Sequence, residues 1–194
     1  MRRKIHREDI LNVGRELMFR QGYTATGIKE ITAAMDIPKG SFYNHFKSKE
    51  DFGLEVLSRY TTEGIEKHQQ ALLNSALGPI NRLKKFYGDL VDYCKTTKSL
   101  ELGCMMGNFS IEMGGINQRF RDHLQQEFGR IESIIERCLK EAKSRGELSE
   151  NVNTKQLASI ILNSWQGTIL RMKATGSPQA ADDFYQALIE PIGT

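Results

Sequence analysis

Apolar residues recur along this chain at the three- and four-residue spacing of helices, and no stretch sustains the two-residue alternation of a strand. A first helix is predicted over residues 8–21. Ile10, Val13 and Leu17 share a face, the acids Glu8 and Asp9 open it, and Gly22 follows it. A second fits residues 27–35, with Ile28, Ile31 and Met35 on one face and Thr26 or Gly27 as its cap. The run "MDIP" breaks that helix, and a third starts near Pro38, a residue suited to a first turn. Ser48 with Asp51 three residues on has the form of a capping box, opening a long fourth helix toward Leu73.

After "NSALGP" helical spacing resumes over 79–96, 104–113 and 117–145, separated by "KSLELG" and "MGGI". The polar run "GELSENVN" leads to a helix over 154–175, and Ser177-Pro178 caps a last one ending near Pro191. No repeats or low-complexity tracts interrupt this order. The pattern predicts an all-α fold with a three-helix unit over 1–52 and a larger helical domain over 53–194, joined through the fourth helix.

Composition narrows the classes. At 194 residues, with 39% hydrophobic and 26% charged residues, the chain can bury a substantial core and is not expected to be disordered. No apolar run approaches the roughly 18 residues of a membrane span. The opening "MRRKIHREDI" carries charge but no apolar stretch, so export is not expected and the chain reads as cytoplasmic. Cys94, Cys104 and Cys138 are odd in number and widely spaced, which argues against both a disulfide framework and a zinc site. His68 and His123 are isolated and read as solvated.

Net charge is only +3, but it is unevenly placed. Residues 1–50 hold ten Lys/Arg against six Asp/Glu, and the remainder holds seventeen against eighteen. The positive excess lies wholly at the N-terminal end, as expected if that end meets a polyanion.

The stretch "PKGSFYNHFKSKEDF" (38–52) gives that end a chemistry. On a helix Phe42 and Phe46 lie one turn apart and share a face. Gly40, Asn44 and Lys47 then point the other way, with Ser41 and Tyr43 on the flanks. The rings would anchor a short helix to the first two, while the opposite face offers small and hydrogen-bonding groups. A major-groove helix needs such a face: Gly40 permits close approach, and Asn44 and Ser41 reach base edges or phosphates. Lys39 and Lys49 sit where phosphates would run. Two helices, a short turn and this exposed helix make a helix-turn-helix. An ordinary three-helix lead-in with a polar surface would share the same spacing.

The segment "GYTATGIKEITAAMDIPKGSFYNHFKSKEDF" (22–52) resembles the signature of TetR-family one-component transcriptional regulators. Gly22, Thr26, Ile31, Ala34, Gly40, Phe42, Tyr43, His45, Phe46, Lys49 and Glu50 fall in register together. The resemblance implies that Lys39, Ser41, Tyr43 and Asn44 face DNA and that Thr26, His45 and Lys49 hold phosphates. Two positions depart from the pattern: Asp36 stands where Gly is common in the turn, and Gly27 where Ser or Thr often caps the second helix.

Regulators similar to this one use the C-terminal domain for dimerisation and a small-molecule pocket. Leu157, Ile161, Ser164, Thr168 and Met172 form a stripe beside Gly167, and the last helix adds Ala181, Phe184, Tyr185 and Leu188. These two helices pair with their copies in a four-helix homodimer interface, or else close the core of their own chain. In "GCMMGNFSIEMGG" (103–115), Cys104, Asn108 and Glu112 make a polar stripe on a Met- and Phe-rich helix, as a cavity wall would. Phe109 and Trp165 are further candidates to line that cavity, or plain core. Cys104 is either an inert buried thiol or a sensor of electrophiles and oxidants.

The resulting expectation is a dimeric regulator, most simply a repressor released from a palindromic operator by a small molecule. A DNA-binding factor of the same fold without an effector, or a redox sensor acting through Cys104, are the alternatives. No cofactor is implied. A nucleophile–base pair, a metal-ligand spacing and a Gly-rich phosphate loop are all missing from the sequence, so an enzyme is the reading it supports least.

Overall fold

The computed structural model describes residues 6–74, 76–96 and 103–193. The charged residues 1–5 and most of the "KSLELG" separator lie outside the described residues. The fold is all-α. In chain order the helices are α1 (Arg7–Gln21), α2 (Ile28–Ala34), α3 (Lys39–Tyr43), α4 (Lys49–Leu73), α5 (Pro79–Thr96), α6 (Met105–Met113), α7 (Gln118–Ser144), α8 (Thr154–Thr175) and α9 (Gln179–Phe184). A π-helical turn, Tyr185–Ile189, continues α9, where the spacing had suggested one uninterrupted helix.

Local chemistry explains most boundaries. Ser48 Oγ accepts from the Asp51 N–H at 3.0 Å and so caps α4. Asn117 and Asn153 cap α7 and α8 in the same way, each accepting from the N–H three residues on. Gly27 has no side chain to cap α2, and Glu30 compensates by accepting the Gly27 N–H at 2.7 Å. After α2 the chain reverses through Asp36 at φ 52°, with Ile37 N–H bonded to Thr32 O and Asp36 N–H to Ala33 O. That is a Schellman ending, and the aspartate takes the left-handed position usually held by glycine.

The three-helix head, α1 to α3, is held by aromatic packing. Phe42 and Phe52 are fully buried, and Phe46 is 3% exposed. Their ring centroids lie 4.7–5.2 Å apart. Phe52 belongs to the first turns of α4, so α4 completes the head core before running into the body. Beyond it α4 packs on α1, α5, α6 and α7, and α7 packs on α8. Exposed ion pairs, Arg7–Glu55, Glu8–Arg59 and Arg15–Glu63, stitch α1 to α4. Such surface pairs stabilise by at most about 1 kcal/mol each.

Two expectations need correcting. His68 is not solvated: its ring lies 4.7 Å from that of Phe86 and its Nδ1 is 2.7 Å from Gly64 O. Burial lowers its pKa, and also that of the half-buried His123. The stripe read along α8 faces inward: Ile161, Thr168 and Met172 are buried in the chain's own core, as are Ala181 and Phe184. The outward face of α8 carries Ile160 and Leu170, about half exposed, and Gly167. Among the described residues no helix is long and apolar enough to cross a membrane.

Candidate nucleic-acid interface and its link to the helical body

The helix expected to run through Phe46 ends at Tyr43. With Phe42 turned inward from α3 and Phe46 from the turn that follows, Lys39, Gly40, Tyr43 and the C-cap Asn44 face solvent, with Ser41 and His45 half-buried beside them. Tyr43 is 49% exposed, and its ring stands edge-on to Phe42. Lys39 Nζ lies 6.0 Å from the Tyr43 ring. A Cβ placed on Gly40 would meet nothing within 4 Å, so no packing inside the protein requires glycine there. Lys29 and Lys47 are exposed on the same head. The surface therefore combines cations, an aromatic and an amide on a rigidly backed helix, suited to phosphates and base edges.

Two residues expected to hold phosphates are placed differently. Thr26 is fully buried, and its hydroxyl donates to Gly22 O at 2.7 Å. Its side chain fastens the α1–α2 turn instead of facing outward. Lys49 is half-buried, donates to Thr24 O at 3.2 Å and sits 4.5 Å from the Tyr23 ring centroid. Burial lowers its pKa, opposed by the carboxylates of Glu112 and Glu30. Lys49 thus works first as a tether to the turn before α2.

The polar stripe of α6 exists, but its members serve three separate neighbours. Cys104, at the N-terminal end, lies 3.8 Å from the Tyr60 hydroxyl, whose pKa is raised chiefly by burial. Asn108 Oδ1 accepts from Lys173 of α8 at 3.0 Å. Glu112 accepts from the backbone N–H groups of Tyr23 at 3.2 Å and Thr24 at 2.6 Å. Phe109 is fully buried against Tyr23 and Phe120. Trp165 packs in another cluster, with Tyr87 and Phe184.

Tyr60, Lys173 and Tyr23 were not singled out by the sequence. Tyr23 had a signal, since it falls in the quoted "GYTATG" run. Lys173 had none, because its partner is 65 residues away. The three cysteines are free, with Cys94 and Cys138 buried. Among the described residues no group of three or more His, Cys, Asp or Glu could hold a metal ion.

Comparison with known proteins agrees with this geometry. Residues 10–56 match the family "Bacterial regulatory proteins, tetR family", and residues 79–188 match "Tetracyclin repressor-like, C-terminal domain". The transcriptional repressor DhaR of Mycobacterium sp. is 30% identical over 96% of this chain and 91% of its own length. The transcriptional regulator AcuR of Cereibacter sphaeroides is 32% identical over 91% of this chain and 80% of its own. A crystal structure of a regulatory protein TetR from Rhodobacter sphaeroides superposes with a TM-score of 0.86 at 30% identity, covering 95% of this chain and 97% of that one.

Proposed function

This chain belongs to the TetR family of bacterial transcriptional regulators, and from that premise we propose that it is a homodimeric repressor released from a palindromic operator by a small molecule. Its division is a DNA-reading head over 1–52 and an effector-binding, dimer-forming body over 53–194, working in the cytoplasm beside the genome. The carrying observation is the short α3 pinned by buried Phe42 and Phe46, with Lys39, Gly40, Tyr43 and Asn44 outward. Ser41 and His45 complete the contact, reaching phosphates at its edges. Dimerisation runs through the outward face of α8 and the C-terminal segment. A groove of about 450 Å³ between Gly167, Arg171, Asp183 and Leu188 supports that choice. A two-fold dimer suits half-sites about 34–36 Å apart, or a multiple of that.

The test is selection of duplexes from random-sequence DNA by the purified protein, followed by mobility-shift titration. A palindrome should be enriched, and the Lys39→Ala, Tyr43→Ala double variant should lose most of the affinity. Failure to enrich any duplex, or indifference to that double change, would sink the reading.

The effector is assigned to the N-terminal half of α6, where Cys104 meets Tyr60 and Asn108 meets Lys173. A second reading is favoured by the exposure of Cys104, the one cysteine of the three that is not buried. In it, an oxidant or electrophile releases DNA through that thiol. If Cys104→Ser still let go of the selected duplex on treatment with such reagents, that second reading would be dead.

A further inference from the structure

The contacts between α6, α7 and the head converge on one short segment, Gly22 to Thr24. Glu112 of α6 accepts two consecutive backbone N–H groups there, at 3.2 and 2.6 Å, while Lys49 Nζ holds Thr24 O from the other side at 3.2 Å. The Tyr23 ring fills the space between, 5.5 Å from Phe109 of α6 and 5.0 Å from Phe120 of α7. Gly22 has φ 89°, and a Cβ there would collide with the Glu112 carboxylate. Beside this, Asn117 and Arg119 at the start of α7 bind Glu50 at 2.8 and 2.6 Å, and Arg119 also binds Asp51 at 2.9 Å.

We propose that Glu112 is a positioning residue for DNA reading: its carboxylate, clasped on the Tyr23 and Thr24 amides, fixes the orientation of the head on the body. The proposal rests on the regulator reading above and names the joint through which the body controls that head. A carboxylate suits the task, because it accepts both bonds at once and with charge assistance. An amide accepts only on its oxygen and would turn an N–H toward one of the two donors. Two heads must meet two half-sites together, so a head loose on its body must be ordered again on binding.

The sign of the effect separates this role from simple electrostatics. Removing a negative charge near DNA strengthens attraction to phosphate. Glu112→Gln should instead weaken binding to the duplex that wild type enriches, by about tenfold, given the strength of hydrogen bonds to charged groups. The slope of log K against log salt should stay unchanged, because no phosphate contact is lost. Glu66→Gln, at an exposed position on α4, supplies the same charge change without the clasp and should not weaken binding.

Hydrogen exchange reads the joint without DNA: the Tyr23 and Thr24 amides should exchange about tenfold faster in Glu112→Gln, with α1 amides unaffected. Lys49→Met tests the opposite side of the turn, and should weaken binding at an unchanged slope. A slope reduced by about 0.9 would instead make Lys49 a phosphate ligand and overturn its part in the joint. Unchanged exchange at Thr24, or tighter binding by Glu112→Gln, would overturn the proposal. Should wild type enrich no duplex, the regulator reading falls and the exchange measurement alone decides whether the clasp exists.

Discussion

Gly14 offers a contest between two opposite expectations. It lies inside α1, where replacing glycine by alanine ordinarily stabilises a helix by about 0.8–1 kcal/mol. Here a Cβ would sit 2.5 Å from Cε1 of Phe52 and closer still to Cζ. Phe52 cannot step aside, because it is fully buried between Phe42 at 5.1 Å and Phe46 at 4.7 Å. Moving it shifts the two rings on which α3 stands. Overpacking of this kind costs about 1–3 kcal/mol, and the depth of the overlap puts Gly14→Ala at the upper end. Net of the helix gain, we expect about 2 kcal/mol of destabilisation. Phe52→Leu shortens the offending side chain and on its own leaves a cavity. Combined with Gly14→Ala it should recover about 2 kcal/mol relative to the sum of the single changes. Urea unfolding followed by circular dichroism measures all four proteins. Protein concentration must be held fixed, since the proposed dimer would couple stability to it. A Gly14→Ala variant more stable than wild type, or strict additivity in the cycle, would refute the packing argument.

Lys39→Ala should weaken binding to all duplexes alike and flatten the salt slope by about 0.9, with the unfolding midpoint unchanged; an unaltered slope in the titration would remove Lys39 from the interface. Iodoacetamide should label Cys104 in the native protein and reach Cys94 and Cys138 only on unfolding, because burial raises both of those thiols, Cys138 to about 11; peptide mass spectrometry after a timed pulse reads the order. His68 has its folded pKa lowered by burial, so the unfolded chain takes up the proton first. The stability is complete above the unfolded value near 6.5 and declines as pH falls through the folded pKa, with His123 adding the same sign. His68→Phe should reduce the drop in urea midpoint between pH 7.5 and about 5, and an identical drop in the variant would contradict this.

The helices were legible because their signals are local. Ser48 with Asp51, the acids opening α1 and the break before Pro38 each act within a few residues, and each marks the boundary it was read for. Only the Ser48 half of the capping box forms, however, the Asp51 carboxylate taking the Ser48 hydroxyl instead. Asp36 is instructive: the departure from glycine marks a left-handed position that aspartate does occupy. The inward turn of Phe42 followed from its place on the helix. The helix that the spacing assumed stops at Tyr43, and Phe46 is brought inward by the turn beyond it, its N–H bonded to Phe42 O. What the sequence hid depends on partners far along the chain. Thr26 carries a polar side chain next to the exposed Thr24 and Ala25, yet its hydroxyl is used by a carbonyl four residues back. The stripe of Cys104, Asn108 and Glu112 is real as a stripe, but spacing cannot say that its members meet α4, α8 and the head. Likewise the apolar stripe of α8 had two possible partners, and the chain's own core took most of it.

The two kinds of contact around the head differ in strength, and that difference assigns them different roles. Each fully buried phenylalanine contributes about 1.5–3 kcal/mol by burial, so Phe42, Phe46 and Phe52 together hold α1, α3 and α4 as one body. Besides Tyr23, buried between Phe109 and Phe120, the joint to α6 and α7 rests on the Glu112 bonds and the exposed Arg119 pairs. The former give about 1.5–3 kcal/mol each and the latter at most about 1. An effector shifts an equilibrium only by its differential affinity, and coupling energies of about 1–3 kcal/mol are usual. That is enough to break one of the Glu112 bonds and too little to dismantle the phenylalanine cluster. On the proposed reading, a signal arriving along α6 would loosen that joint and let the head reorient as a rigid unit, with α3 still backed by its rings and neither one unfolded.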